Sequence, residues 1–237
     1  MKIKKTFSLF VILFFTAALT VRSQAPESKP DFKPVVPYTS KWRIAASGGL
    51  SWRIARLSPD LNGYERKYLK DLKSGKGFDA SAAYYFNDLI GVGIKYNLFL
   101  SYASVMAYSS TGLSGTLSDD MSIFFIGPKF CSRYASRTKM NTFIMDLAAG
   151  YMGYKDIGRF GSDMATLTGK TIGFAYDIGY DVGVSPHLAI GINLCYAIGI
   201  LTSYDISAHG VTTHTTLDSQ HYEGLNHFDI GFGLRLR

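Results

Sequence analysis

The residues best equipped for chemistry lie near the end of the chain, in SAHGVTTHTTLDSQHYEGLNH, residues 207–227. His209, His214, His221 and His227 are four of the five histidines in the sequence. Imidazole is a common metal ligand and titrates nearest to neutral pH, and Asp218 and Glu223 add carboxylate oxygens close by. Serine, histidine and acid together also supply the residue types of nucleophilic catalysis. Spacing presets neither chemistry. No two of these histidines stand four apart, as a metal-binding helix needs, and no nucleophile–base motif is present. The expectation is a polar, solvated loop with no catalytic residue, no metal site and no cofactor.

A second set carries charge. Arg43, Arg53, Lys95, Lys129, Arg133, Asp146, Asp177, Asp181, Asp229 and Arg235 all fall on the small-residue parity of alternating segments. Both signs are present, so opposite charges can pair in a confined space where a lone charge is costly. Two outcomes follow from such a network: a salt-bridged plug, or an ion path gated by rearranging pairs. A third set is LNGYERKYLKDLKSGKG, residues 61–77, with Tyr64, Tyr68, Leu69 and Leu72 at helical spacing opposite Arg66, Lys67, Lys70 and Lys73. Asn62 is placed to start that helix and Gly75 to stop it. Its basic face suits the anionic sugar–phosphate layer of lipopolysaccharide, and its apolar face suits a lid on whatever lies beneath.

Strands must position these groups. In TIGFAYDIGYDVGVS, residues 171–185, Ile172, Phe174, Tyr176, Ile178, Tyr180, Val182 and Val184 share one parity; glycine, alanine, aspartate and threonine hold the other. Side chains alternate across a strand, so the segment has an apolar face and a small, polar one. The pattern predicts eight strands, near 42–56, 76–86, 89–103, 119–133, 140–155, 169–185, 188–203 and 225–237. Tight turns at Asn87–Asp88, around Arg137 and at Ser185–His187 alternate with long connections at 57–75, 104–118, 156–168 and 204–224. Alternating short and long connections are the layout of outer-membrane barrels.

A soluble barrel of lipocalin type has the same parity with its apolar face inward. The glycine- and alanine-rich second face favours the narrow interior of a membrane barrel. Trp42 and Trp52 share the apolar face of the first strand, about 25 Å apart along the membrane normal, the height between two aromatic girdles. The predicted fold is all-β: an eight-stranded antiparallel up-and-down transmembrane β-barrel. Cys131 and Cys195 fall on its inward parity, as a buried free pair or a single bridge.

GFDASAAYYFNDLIGVGIKYN (77–97), IGPKF (126–130) and LNHFDIGFGLRLR (225–237) resemble small outer-membrane β-barrel proteins of the OmpA/OmpX type, in their Bacteroidetes versions. The resemblance covers residues 42–237. It implies recognition of the last strand by the barrel-assembly machinery, with Asp229, Gly231, Leu234 and Leu236 matching that signal and Arg237 replacing its terminal aromatic residue.

The start of the chain supplies an address. Lys2, Lys4 and Lys5 precede an apolar run from Phe7 to Val21 that is too short to span a bilayer as a helix. Residues 1–23 read as a cleaved signal peptide, with cleavage after Ala25 as the alternative. Residues 24–41, with four of the seven prolines, read as a periplasmic linker. Loss of Lys2, Lys4, Lys5 and Arg22 lowers the formal charge from +7 to +3, which removes most of the case for nucleic acid. The expected location is the bacterial outer membrane, with membrane lipid and lipopolysaccharide as partners. The expected role is structural or surface-interacting and non-enzymatic; a narrow pore or conduit for small solutes and a lipid-modifying enzyme are the alternatives.

Overall fold

Long alternating segments form long strands because each can satisfy its backbone only by pairing along its whole length. The computed structural model describes residues 40–54, 63–108, 114–219 and 222–237. In chain order the elements are β1 (Trp42–Arg53), α1 (Gly63–Leu72), β2 (Ser74–Tyr85), β3 (Ile90–Tyr108), β4 (Ser114–Ala135), β5 (Asn141–Phe160), β6 (Asp163–Gly183), β7 (Leu188–Leu201), β8 (Ser203–Ala208), β9 (Val211–Thr216), β10 (Glu223–Gly224) and β11 (His227–Leu236). Strands β1 to β7 pair antiparallel in sequence order, and β11 pairs with both β7 and β1. The ring of eight is therefore closed, which removes the sheet edges that would otherwise be exposed.

All eight predicted strands are present, but three of the predicted long connections are corrected. Residues 104–118 and 156–168 are mostly strand: β3 and β4 pair out to Tyr108 opposite Ser114, and β5 and β6 out to Phe160 opposite Asp163. Beyond the bilayer the outer face meets water instead of lipid, so these stretches lose the apolar alternation that marks a strand in sequence. Gly161, at φ 60°, lets the β5–β6 hairpin turn within two residues. The predicted connection 204–224 is likewise largely β8, β9 and β10, with β8 pairing onto β6 above β7. Helix α1 ends at Leu72, before the expected stop. Gly75 belongs instead to β2, where a Cβ would stand 2.1 Å from the Leu100 carbonyl oxygen. Asn62 lies outside the described residues.

The tight turns are built as their residues suggest. Asn87 Oδ1 accepts from the Leu89 and Ile90 amides at 2.8 Å, and Ser185 Oγ accepts from the Leu188 amide at 3.1 Å. Arg237 ties two of these turns together, donating to the Lys139 carbonyl at 2.9 Å and the Ser185 carbonyl at 3.3 Å.

The register defines the outer wall. Across β4, β5 and β6 the outward rungs read Ile126–Tyr151–Ile172, Phe130–Leu147–Tyr176, Ser132–Met145–Ile178 and Tyr134–Phe143–Tyr180. Ile172 is 76% exposed, a value that fits lipid contact and not a soluble surface. From Phe143 to Tyr151 the strand rises about 27 Å, or about 21 Å along the normal at a tilt near 40°, close to the ~25 Å apolar band of such barrels. Trp42 and Trp52 both face outward, and Trp42 stacks edge-on against Tyr84 at 5.0 Å. Among the described residues no helix is long and apolar enough to cross a membrane.

Candidate functional site: lumen and mouth

The small parity of each strand points into the ring, and the charges there meet from opposite walls. At the turn side, the Arg133 guanidinium lies 3.8 Å over the Tyr85 ring and donates to the Asp88 and Ser40 carbonyls. Above it, Asp181 accepts from Arg43 at 2.9 Å and from Arg235 at 3.2 Å, with all three side chains buried. Lys129 pairs with Asp146, and the Lys95 ammonium bridges Asp79 and Asp177, 2.8 Å from the latter. Next, Asp229 accepts from Ser51 and, at 2.6 Å, from the Asn97 amide; Asn97 Oδ1 in turn faces His227 Nε2 at 2.8 Å. Arg53 reaches Glu223 and donates to the Gly224 carbonyl at 3.0 Å.

The upper interior is different. Phe99, Ile123, Phe125, Met152, Leu201 and Leu225 form one buried apolar cluster, and α1 closes it from above with Tyr68 and Leu72. Tyr68 donates to Asp119 Oδ2 at 2.6 Å; burial and that carboxylate hold its phenol well above the ordinary range, so it remains a donor. Arg66, Lys67 and Lys70 are exposed on the opposite face of α1. Lys73 is half-buried, and burial together with Arg53 and Lys70 lowers its basicity.

All ten charges singled out from the sequence project into the lumen. Sequence reasoning missed their uncharged and acidic partners: Asp79, Ser51, Tyr85, Asn97 and Asn193. Each stands on an inward parity, so the signal was there. His227 requires a correction: it opens β11, is fully buried and packs 5.7 Å from the Phe99 ring, so it is a lumen residue and not part of a solvated loop. His214 lies on β9, exposed and 2.7 Å from Asp205; His209 sits at the β8–β9 turn with φ 50°; His221 falls outside the described residues. Among the described residues one trio could ligate a metal, Asp79, Asp177 and Cys195, but the Lys95 ammonium already bridges its two carboxylates. Both cysteines are free and buried; Cys195 sits in the large apolar cluster and Cys131 in a smaller one with Ala83 and Tyr85.

A cavity of about 20 Å³ remains among Arg43, Asp79, Lys129, Asp146, Asp177 and Arg235. That is room for about one water molecule.

No protein-family model matches the chain, and no curated protein matches it. Solved structures similar to it include Neisserial surface protein A (15% identity, 83% of this chain and 97% of that one, TM-score 0.47). The outer membrane protein OprG from Pseudomonas aeruginosa is similar at 12% identity, 81% and 95% coverage and TM-score 0.44. The outer membrane protease OmpT from Escherichia coli is similar at 8% identity, 88% and 98% coverage and TM-score 0.45. The architecture rests on the ring and its outward apolar band: this chain folds as an eight-stranded antiparallel transmembrane β-barrel.

Proposed function

We propose that the protein is a non-enzymatic component of the bacterial outer membrane, closed to solute flow. Its role is structural, and its contacts are made by the strands that stand above the bilayer and by the basic face of α1. On this reading residues 1–23 are removed on export, residues 24–41 form a periplasmic linker, and β11 is the strand the assembly machinery reads. Arg66, Lys67, Lys70 and Lys73 face the phosphates of lipopolysaccharide.

The observation that carries the closed state is a double seal. Paired charges occupy the lower lumen, where the cavity among them has room for about one water, and an apolar cluster capped by Tyr68 and Leu72 fills the upper one. Single-channel recording of the purified, reconstituted protein is the test: no ohmic conductance is expected, and stable unitary currents would refute the seal. A narrow cation path has one observation in its favour. Among the described residues, Asp146 Oδ1 and Asp177 Oδ2 are buried with no hydrogen-bond partner, and both residues line the cavity.

A further inference from the structure

The outward wall ends abruptly on its extracellular side. Above the rung Ile126–Tyr151–Ile172 come Phe124–Gly153–Lys170 and then Ser122–Lys155–Thr168. The Phe124 ring lies over Gly153 and 5.6 Å from the Tyr151 ring, so the aromatic surface runs directly up to the two ammonium groups. Lys155 and Lys170 are exposed and diagonal across the β5–β6 pair, which sets their Cβ atoms roughly 7 Å apart. Two four-carbon stems close that gap easily on a single phosphate. Neither ammonium has a carboxylate partner among the described residues. The next outward charges, Arg159 and Asp120, satisfy each other at 2.7 Å. Unpaired cations at the upper edge of a lipid-facing band call for an anion supplied by the lipid.

We propose that Lys155 and Lys170, with the Ser122 and Thr168 hydroxyls beside them, form a binding site on the outer wall for a phosphate of lipid A, the phosphorylated glycolipid of the outer leaflet. This rests on the outer-membrane reading and deepens it by placing a lipopolysaccharide site away from α1. The wall itself argues for a glycolipid over a glycerophospholipid. From Lys155 to Phe160, β5 continues about 17 Å past the lysine, paired throughout with β6, and the outward rungs there, Asp120–Ile157–Thr166 and Ser118–Arg159–Met164, are polar at four of six positions. A sugar headgroup reaches the polar positions of that stretch, while a glycerophosphate would leave them bare. Below the lysines, Tyr151, Ile172 and Phe174 receive the acyl chains.

The test uses full-length protein in detergent, its folding checked by the mobility of unheated samples on gels, and lipid A binding read by native mass spectrometry. The double reversal Lys155→Glu, Lys170→Glu weakens binding roughly tenfold or more, since each basic residue near an anionic surface contributes substantially. Removing both phosphates from lipid A weakens wild-type binding equally, and the double arginine variant retains it. Unchanged binding in the double reversal overturns the site, and so does phosphatidylglycerol binding as tightly as lipid A. Reversing Arg66, Lys67, Lys70 and Lys73 leaves this binding intact. If that change abolishes it while the wall reversal does not, the wall site falls and the α1 reading stands. Conductance through the wild-type barrel would remove the seal and leave the wall site untouched.

Discussion

The lower and upper halves of the lumen are lined by the same strands yet sealed by opposite physics. Below, Asp181, Asp146 and Asp177 hold Arg43, Arg235, Lys129 and Lys95 across a space left by glycine and alanine. Above, Phe99, Ile123, Phe125, Met152 and Leu201 meet under α1 as an ordinary oily core. The difference follows from what closes each half. In the lower half small inward residues leave slots that the long side chains of Arg43, Arg235, Lys95 and Lys129 fill. The upper ring opens into the hairpins above the bilayer, and a helix with an apolar face can pack into it. Charged pairs in the lower half bring little net stability but punish loss of one partner; apolar contacts above contribute in proportion to area.

The largest effect should therefore come from orphaning charge below. Asp181→Asn leaves Arg43 and Arg235 without their shared carboxylate and should cost about 3–5 kcal/mol in urea-dependent folding into lipid vesicles. Replacing Lys129 and Asp146 together by methionine and leucine should be nearly neutral by the same measurement. A double replacement as costly as the single one would mean that the pairs themselves hold the lower half.

The upper half should fail locally. Leu72→Ala removes a side chain that is 5% exposed, and deletions of this kind cost about 2–5 kcal/mol where nothing collapses into the space. The cost falls on the seating of α1, since the ring keeps its pairing. The readout is maleimide labelling of folded protein: Cys195, at the foot of the apolar cluster where it meets Asp79 and Asp177, should become more reactive, while Cys131 should stay protected. Equal exposure of both thiols would show that the halves are not independent. On the outer wall, Ile178→Arg should cost about 2–4 kcal/mol in the same vesicle assay, and Thr213→Arg on β9 almost nothing.

How much of this was legible in the sequence varies with height. Within the bilayer the contrast between lipid and lumen imposes period two, so strands such as residues 169–185 could be read directly. Above it the outer face is wet, and β3, β4, β5 and β6 run on through segments that look like loops. The inward charges were legible by parity, but their pairing was not. Arg43 and Asp181 stand 138 residues apart and meet only because ring closure sets the stagger of strands across the lumen. The apolar upper core was overlooked because glycine and alanine dominate the inward parity elsewhere, which hid Phe99 and Phe125 on that same face. His227 was grouped with its sequence neighbours, although its parity with Asp229 and Gly231 already pointed inward.

The smallest predicted effect concerns what holds α1 in place. Lys67 pairs with Asp71 one turn along at 2.7 Å, but both side chains are more than half exposed, and such pairs are worth about 0.3–0.5 kcal/mol. Lys67→Ala should thus leave Cys195 as protected from maleimide as in the wild type, at low and at high salt. Tyr68→Phe is the sharper comparison, because it keeps the buried ring and deletes only the hydrogen bond to Asp119. It should speed labelling measurably, yet less than Leu72→Ala, since a hydrogen bond of this kind contributes about 0.5–1.5 kcal/mol, or up to 3 to a charged group. If Lys67→Ala loosens the lid as much as Leu72→Ala does, and added salt mimics it, α1 is held by charge. The contrast between an ionic lower seal and an apolar upper one would then fail.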